Sequence, residues 1–471
     1  MTSQWKAISP ARARTHNRTL SSSLMLAALW LGVCEPSLAP SLAQAPSAAP
    51  ASTLFQNVRI FDGRTTALSA SSNVLVSGNV IERISETPIT LDANANVQVI
   101  AGNGRVLMPG LIDVHWHAML VRPTPATILS SDIGYTNLLA GAEAGSTLLR
   151  GFTTVRDMGG PSFSLKRAID EDVLPGPRIY PSGAIITVTS GHGDFRSFSD
   201  LPRTIGGMLS RIEQLGGSMI ADSPDEVRLR AREQLMQGAS QIKLTAGGGV
   251  ASPFSPLDVS TFTEPELRAA VEAAENWGTY VATHAYTPVA IQRSIAAGVK
   301  VIEHGHLMDD ATARLMAGKG IWLSTQPFVD LGGAAALGPS EQAKMRQVIA
   351  GTENVYTLAK KYRIKTAFGT DVLFSRALAE RQGAMLADLA RWYTPAEALI
   401  MATSTNAELL GLSGPRNPYP VRLGVVEAGA AADLLLVDGN PLDDIKLVAE
   451  PGRNFPVIMK NGRIYKNALP K

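Results

Sequence analysis

Cysteine is nearly absent from this sequence, because Cys34 is the only one among 471 residues. A single cysteine excludes a disulfide within the chain, and everything after it offers no thiol nucleophile and no thiolate ligand. A metal ion bound by the main body of the protein must therefore be held by nitrogen and oxygen atoms.

An excess of charge of one sign is also missing. The 43 basic and 41 acidic residues give a net charge of +2. Four of the basic residues and one acidic residue lie in the first 45 positions, so the rest of the chain has a net charge of −1. Without a basic stripe the chain lacks the electrostatic footprint of a nucleic-acid-binding protein. Hydrophobic residues make up 45% and charged residues 18%, which is typical of a globular protein with a large core.

Long apolar runs are absent except for Leu20–Val33, which is too short for a comfortable membrane span. This run follows a basic segment that ends at Arg18 and precedes a small-x-small cleavage motif that ends at Ala43. The order predicts a cleaved signal peptide and leader over residues 1–45, and hence a periplasmic or secreted protein. A disordered N-terminus with a chance apolar patch is the alternative.

Histidine is scarce as well, with seven residues in the chain. His16 lies in the leader, and the other six fall at or just after the ends of predicted strands. His115 and His117 close the segment 109–117, which has the pattern of a short buried strand. Since side chains at i and i+2 of a strand point to the same face, both imidazoles can reach one metal ion. Two polar residues on a half-exposed strand are the alternative for this pair taken alone.

The order of strand and helix patterns predicts two architectural units. Residues 46–107 contain a linker and short strands with hairpin turns, too little for an independent sandwich, and residues 416–471 supply further short strands. We expect these segments to build one small β-sandwich domain. Residues 108–415 alternate eight strands with helices, which predicts an α/β fold of the (β/α)₈ TIM-barrel type. A doubly wound open sheet is the structural alternative.

In a (β/α)₈ barrel the carboxyl ends of the strands meet at one mouth, where active sites form. The polar residues at these predicted ends are His115, His117, Lys243, His284, His304 and Asp371. Strand order spaces them around the mouth, so their side chains can converge. An open sheet gives no equal reason to place polar residues at so many strand ends.

Five segments, taken together, resemble the motifs of the amidohydrolase superfamily in its binuclear-metal branch. They are Pro109–His117, Gln241–Leu244, Thr283–Thr287, Glu303–His306 and Phe368–Asp371. The resemblance covers nearly the whole mature chain, and it is greatest to imidazolonepropionase-like proteins, prolidases, Xaa-Arg dipeptidases and ochratoxinase-like amide hydrolases. It implies two divalent metal ions, and a ligand set of nitrogen and oxygen without sulfur suits Zn²⁺.

The resemblance also implies a role for each ligand. The more buried ion would be held by His115, His117 and Asp371, and the second by His284 and His304. Lys243 would bridge both ions as an N6-carboxylated side chain, since a protonated lysine has no lone pair to offer a cation. An ordinary ion pair between Lys243 and a carboxylate in the barrel is the alternative.

The implied reaction is hydrolysis of an amide by a metal-bridging hydroxide, with Asp371 as the catalytic residue that passes a proton to the leaving amine. The substrate would be a dipeptide, an Xaa-Pro peptide or an N-acyl amino acid, including ochratoxin-like amides, and the enzyme would be a homo-oligomer. One alternative is an ester hydrolase of the lactonase or phosphotriesterase type, which would use the same hydroxide. The other is an inactive barrel that only binds a ligand, although none of the six ligands is missing.

Four residues are predicted to contact the substrate: Tyr286, His192, His306 and Arg196. The alternatives are a packed tyrosine for Tyr286, a surface loop for His192 and Arg196, and a position behind the metal ligands for His306. The long excursion Gly193–Ala221 is a predicted lid over the barrel mouth.

Overall fold

The computed structural model describes residues 52–91 and 96–470. The predicted signal peptide and leader, residues 1–45, lie outside this range. Within it, no helix is both long and apolar enough to cross a bilayer.

The strands of the described residues alternate with helices over the middle of the chain and cluster at its two ends. The strands are β1 (Ser52–Ile60), β2 (Ser71–Ser77), β3 (Val80–Ser85), β4 (Val97–Ala101), β5 (Val106–Pro109), β6 (Leu111–Trp116), β7 (Phe152–Asp157), β8 (Arg178–Pro181), β9 (Ile185–Thr187), β10 (Ser218–Ile220), β11 (Ile242–Thr245), β12 (Val281–Ala285), β13 (Val301–His304), β14 (Trp322–Thr325), β15 (Thr366–Phe368), β16 (Leu434–Val437), β17 (Val457–Lys460) and β18 (Arg463–Asn467).

The α-helices vary from one turn to more than six. They are α1 (Pro125–Ser130), α2 (Ile133–Leu149), α3 (Phe163–Asp170), α4 (Arg211–Gln214), α5 (Pro224–Met236), α6 (Glu264–Asn276), α7 (Pro288–Ala297), α8 (Asp310–Lys319), α9 (Pro339–Tyr362), α10 (Arg376–Glu380), α11 (Gln382–Asp388), α12 (Pro395–Ile400), α13 (Asn406–Leu410) and α14 (Pro451–Asn454).

One sheet combines strands from both ends of the chain, in the order β18-β17-β16-β5-β1-β2-β3 with β4 beside β1. Two hairpins close on residues with positive φ, Gly78 at +58° and the pair Asn461 and Gly462 at +54° and +74°. Positive φ at these positions matches the right-handed twist of the paired strands. The antiparallel pairing of β5 with β16, Leu107 opposite Leu436, joins the N-terminal strands to the C-terminal ones.

The middle of the chain confirms the predicted (β/α)₈ barrel. Strands β6 to β8 form one parallel sheet and β9 to β15 another, and a parallel bridge between Trp116 and Val372 joins the last strand region to the first. The sequence pattern predicts one strand, the third of the barrel, over residues 178–187, and the structure divides it into β8 and β9. Just before β11, the Gln241 amide donates to the carbonyl oxygens of Asp157 in β7 and Tyr180 in β8, at 3.2 and 2.9 Å.

Local signals set the helices that flank the barrel. Ser223 caps α5 by accepting the Glu226 N–H at 3.3 Å, and Pro224 occupies the first helical position. The barrel strands β6, β11 and β12 are buried along their whole length, as parallel strands covered on both faces are. Polar side chains at their ends are therefore directed into a low-dielectric interior.

Candidate metal centre

Two imidazoles at the end of β6 meet a carboxylate from the loop after β15. Asp371 Oδ1 lies 3.2 Å from His115 Nε2 and 3.0 Å from His117 Nε2. Asp371 has a φ of +54°, which turns the chain sharply just beyond the strand. His115, His304 and Asp371 also form a group whose candidate ligand atoms all lie within 4.8 Å of one another.

The protonation pattern of these imidazoles favours a cation between them and Asp371. His115 Nδ1 lies 2.8 Å from Glu303 Oε2, and His117 Nδ1 lies 3.2 Å from the Gly159 carbonyl oxygen. Each acceptor requires an N–H on the facing nitrogen, so a neutral ring directs the lone pair of its Nε2 at Asp371. Burial lowers the pKa of His115 to about 4, which keeps that ring neutral. Lone pairs facing a carboxylate oxygen repel each other, and a divalent cation removes that repulsion.

In a second pair of imidazoles, too, one nitrogen of each ring faces an acceptor oxygen. His284 Nε2 lies 2.8 Å from the Gly248 carbonyl oxygen, and His304 Nδ1 lies 2.7 Å from Gln326 Oε1. Each ring therefore has one nitrogen engaged and one lone pair free. The ring centroids of His284 and His304 are 4.1 Å apart, and burial holds the pKa of both imidazoles well below the usual value. These residues fit the ligands of a second cation.

Lys243, on β11, lies between the two groups of imidazoles. It is buried, and its Nζ is 3.5 Å from His115 Nε2. Within the described parts of the chain, no carboxylate lies within 4 Å of this amine, so the ordinary ion pair considered from the sequence is not formed. Burial lowers the pKa of Lys243 to about 8, which enriches the neutral amine. The neutral amine is the form that can combine with carbon dioxide to give a carbamate, an oxygen ligand.

A buried ion pair that the sequence did not reveal supports His115 from behind. Arg156, on β7, donates to Glu303 Oε1 at 2.6 Å and to the Val114 carbonyl oxygen at 2.6 Å. Burial opposes the charged form of Glu303, but Arg156 and His115 outweigh it and lower its pKa to about 2. Glu303 therefore stays ionised and fixes the tautomer of His115.

A second unpredicted carboxylate joins β6 to the turn that carries Asp371. Asp113 accepts hydrogen bonds from the His115 N–H at 3.0 Å, from the Thr370 N–H and hydroxyl at 3.1 and 2.6 Å, and from the Gln382 amide at 2.9 Å. Burial raises the pKa of Asp113 to about 6. Asp113 lies two residues before His115, so strand alternation was the available sequence signal for it.

Two of the four predicted substrate residues line the cavity above the candidate ligands. This cavity has a volume of about 270 Å³ and is also lined by all six candidate ligands. The His192 ring lies 4.3 Å from the His284 ring, and the Tyr286 ring lies 5.0 Å from the His304 ring. Burial raises the pKa of Tyr286 well above its usual value, so its hydroxyl keeps a proton to donate.

The other two predicted substrate residues do not line the cavity. Arg196 pairs with Asp194 at 2.7 Å, so its charge is already engaged. His306 is fully buried behind the site, where Nε2 lies 3.0 Å from the Gln326 carbonyl oxygen and the ring stacks on Phe328. The structure therefore places neither side chain on the cavity wall, and their contact with a substrate stays a prediction.

The rest of the cavity wall is mainly apolar. Side chains from several loops after the barrel strands contribute to it: Leu120, Ile128, Phe195, Ile212, Phe328, Phe374 and Met385. Phe195 and Ile212 belong to the excursion Gly193–Ala221, which thus borders the cavity. At the rim Arg381 pairs with Asp330 at 3.0 Å. The cavity combines a polar floor of lone pairs with apolar walls, a common pattern for small-molecule sites.

Comparison with known proteins gives consistent matches. The sequence profile of the amidohydrolase family matches residues 106–465. An ochratoxinase from Aspergillus niger is 30% identical over 388 residues, which cover 77% of this chain and 76% of the relative. The crystal structure of an amidohydrolase superposes with a TM-score of 0.82 and 36% identity over 89% of this chain and 100% of its own. A prolidase complexed with N-methylphosphonate-L-proline superposes with a TM-score of 0.81 and 33% identity over 88% and 100% of the two chains.

Proposed function

The chain belongs to the amidohydrolase family, and on this basis we propose that it hydrolyses the amide bond of a small molecule and releases a C-terminal amino acid. The substrate class is a dipeptide, an Xaa-Pro peptide or an N-acyl amino acid, including ochratoxin-like amides. An ochratoxinase and a prolidase among the relatives support this class.

The observation that carries the proposal is the convergence of imidazole lone pairs on Asp371. His115 Nε2 and His117 Nε2 lie 3.2 and 3.0 Å from Asp371 Oδ1. Ligands bound about 2.0–2.2 Å from a tetrahedral ion lie about 3.4 Å apart, so a small shift would accommodate Zn²⁺. His284, His304 and a carboxylated Lys243 would complete a site for two divalent ions.

When bound, the two ions would activate a water molecule and polarise the scissile carbonyl group. The chain's own residues hold and move protons around that centre. Asp371, ionised between two imidazoles, would accept a proton from the attacking water and deliver it to the leaving amine. The protonated Tyr286 hydroxyl would donate a hydrogen bond to a substrate oxygen, either the carbonyl or the carboxylate.

His192, whose ring lies beside that of His284, would be a further contact to the substrate. Burial lowers its pKa to about 3, so the ring is neutral, and its Nδ1 lies 2.9 Å from Ser252 Oγ. Its other nitrogen is then free for the substrate. The apolar walls around Phe195, Phe328 and Phe374 would hold a large apolar side chain or acyl group and exclude bulk water.

We test the proposal with metal analysis of the purified protein and a panel of dipeptides, Xaa-Pro peptides and N-acyl amino acids, following amino-acid release. We expect about two divalent ions, such as Zn²⁺, per chain and hydrolysis of amides with apolar acyl groups. Lys243→Ala should lose both bound metal and turnover. Lys361→Ala, at an exposed lysine that pairs with Asp310, is the control and should behave as wild type.

The panel also separates the alternatives. Bound metal with turnover of lactones or phosphotriesters but not of amides would replace the proposed reaction with ester hydrolysis. Binding without turnover of either class would leave a ligand-binding barrel.

We also propose that the protein is exported and acts in the periplasm or outside the cell as a homo-oligomer. The export proposal is supported by the basic, apolar and small-residue order over residues 1–45. N-terminal sequencing of the exported protein should begin just after Ala43, and a mature protein that retains Leu20–Val33 would contradict it. Sedimentation of the mature protein tests the oligomer.

A further inference from the structure

A buried lysine outside the candidate ligand set is bound to one loop of the barrel mouth. Lys344, on α9, is 9% exposed, and its ammonium donates to the carbonyl oxygens of Gly249, Ser252 and Ser255 at 3.1, 2.7 and 3.2 Å. An ammonium has three N–H donors, so all of them are used. Across residues 52–91 and 96–470 no carboxylate lies within 4 Å of it. The carbonyl dipoles of this loop, residues 247–255, therefore offset the charge.

The same loop contacts two imidazoles of the site. The Gly248 carbonyl oxygen lies 2.8 Å from His284 Nε2, the bond that leaves the other nitrogen of His284 free. Ser252 Oγ lies 2.9 Å from His192 Nδ1 and accepts the Gly193 N–H at 2.8 Å. The loop thus touches one candidate metal ligand and one candidate substrate contact.

Close packing leaves no room for a side chain at two glycines of the loop. A Cβ added at Gly248 would lie 1.5 Å from the Pro256 carbonyl oxygen, and one at Gly249 would lie 2.1 Å from His192 Nδ1. Glycines supply no side chains to fix the backbone and lose much conformational freedom on ordering. Lys344 constrains this segment by binding three of its carbonyl oxygens, and the Ser190 hydroxyl binds a fourth, that of Phe254, at 2.7 Å.

We propose that Lys344 is a positioning residue for the hydrolytic site. By binding the carbonyls of the 247–255 loop, it fixes His284 on the metal side and His192 on the substrate side at the same time. This inference rests on the proposed function, because that function assigns the two imidazoles their roles.

The first measurement is hydrogen–deuterium exchange of the metal-free protein, which needs no substrate. Lys344→Met keeps much of the side-chain volume but removes every donor. Losing even one hydrogen bond to a charged group makes local opening about tenfold more frequent, so we expect residues 247–255 to exchange at least about tenfold faster. Lys361→Met, on the same helix but exposed, should leave this exchange unchanged.

The second measurement is a titration with Zn²⁺ and, once a substrate is known, steady-state kinetics. Loss of an outer partner of a metal ligand weakens metal binding by about tenfold or more, so Lys344→Met should bind the second ion correspondingly more weakly. It should lower kcat and raise KM together. Ser252→Ala removes the hydroxyl contacts to His192 and to the Gly193 N–H but none to His284, so it should raise KM and leave the second ion's affinity at the wild-type value.

The outcomes separate this inference from the proposed function. Wild-type protein that binds no divalent ion would refute the proposed function. Hydrogen–deuterium exchange of residues 247–255 in Lys344→Met would still test the positioning role of Lys344. Wild-type exchange and wild-type affinity for the second ion in Lys344→Met would overturn the positioning role. If Lys344→Met does not fold, Lys344→Gln, which retains two donors, takes its place with intermediate exchange expected, and exchange equal to wild type overturns the role.

Discussion

At the scale of single residues, the candidate centre depends on where each imidazole proton lies. The outer nitrogens of His115 and His117 face a carboxylate and a carbonyl, which leaves the inner nitrogens as lone pairs. Glu303 is the central partner, because it connects His115 to the fully buried Arg156. A carboxylate fixed in this way raises the basicity of the imidazole it accepts from.

Glu303→Gln tests this arrangement. The substitution keeps the shape of the side chain but removes the charge that fixes the His115 tautomer, so affinity for the more buried ion should fall about tenfold to a hundredfold. The measurement is a competition titration with a metal-chelating dye. Glu380→Gln, at an exposed glutamate that pairs with Arg376, is the matched control. Wild-type affinity in Glu303→Gln would show that Glu303 does not tune the site.

The six candidate ligands could be located from the sequence because each falls at the end of a predicted barrel strand. Glu303 could not, because it directly precedes His304 and strand alternation assigns neighbours to opposite faces. His304 departs from this alternation, because its φ of +77° twists the end of β13. The side chains of Glu303 and His304 therefore both reach the candidate site. The ion pair of Arg196 with Asp194, two residues away, was not predicted from the sequence.

At the scale of elements, the loops after the strands decide the shape of the cavity. The barrel itself was predictable from alternating strand and helix patterns, and helix ends such as that at Ser223 followed capping rules. The division of residues 178–187 into β8 and β9 was not predicted, and neither were the bonds by which Gln241 holds the ends of β7 and β8. Contacts of this kind join residues far apart in the chain and leave no local pattern.

Gly249→Ala tests how closely the loop after β11 fits its neighbours. The added Cβ would lie 2.1 Å from His192 Nδ1, so the ring or the loop must shift and displace this candidate substrate contact, and we expect KM to rise at least about tenfold. The measurement is the steady-state kinetics of the best amide from the panel. Gly318→Ala, in α8 where an added Cβ meets nothing within 4 Å, controls for the exchange of glycine for alanine. An unchanged KM in Gly249→Ala would mean that His192 does not contact the substrate.

At the scale of the whole molecule, charged side chains are buried beside the sheet that combines strands from both ends of the chain. Lys460, on β17, is 6% exposed near Arg178, and within the described ranges no carboxylate lies within 4 Å of its ammonium. Burial, together with Arg178, lowers the pKa of Lys460 to about 8 from 10.5. The folded protein therefore binds this proton less tightly than the unfolded chain does.

Lys460→Met should stabilise the protein at neutral pH. Below pH 8 the lysine is charged in both states, so the full cost of burying the charge is present there, and it disappears as the pH rises from about 8 towards 10.5. We expect Lys460→Met to raise Tm at pH 7 and to raise it less at pH 10. Thermal unfolding of both proteins at the two pH values measures this, with Lys446→Met as an exposed control. A gain that does not shrink with pH would contradict the linkage.

The pairing of β5 with β16 has a consequence for how the molecule is made. Leu107 is opposite Leu436, so more than three hundred residues must emerge from the ribosome before this pair can form. Contacts between such distant segments form late, because closing a long loop loses chain entropy before the new contacts can compensate for that loss. The strand β5 leads directly into β6, with His115 near the end of β6 and His117 just beyond it. It therefore pairs with its last neighbour only when synthesis is nearly complete.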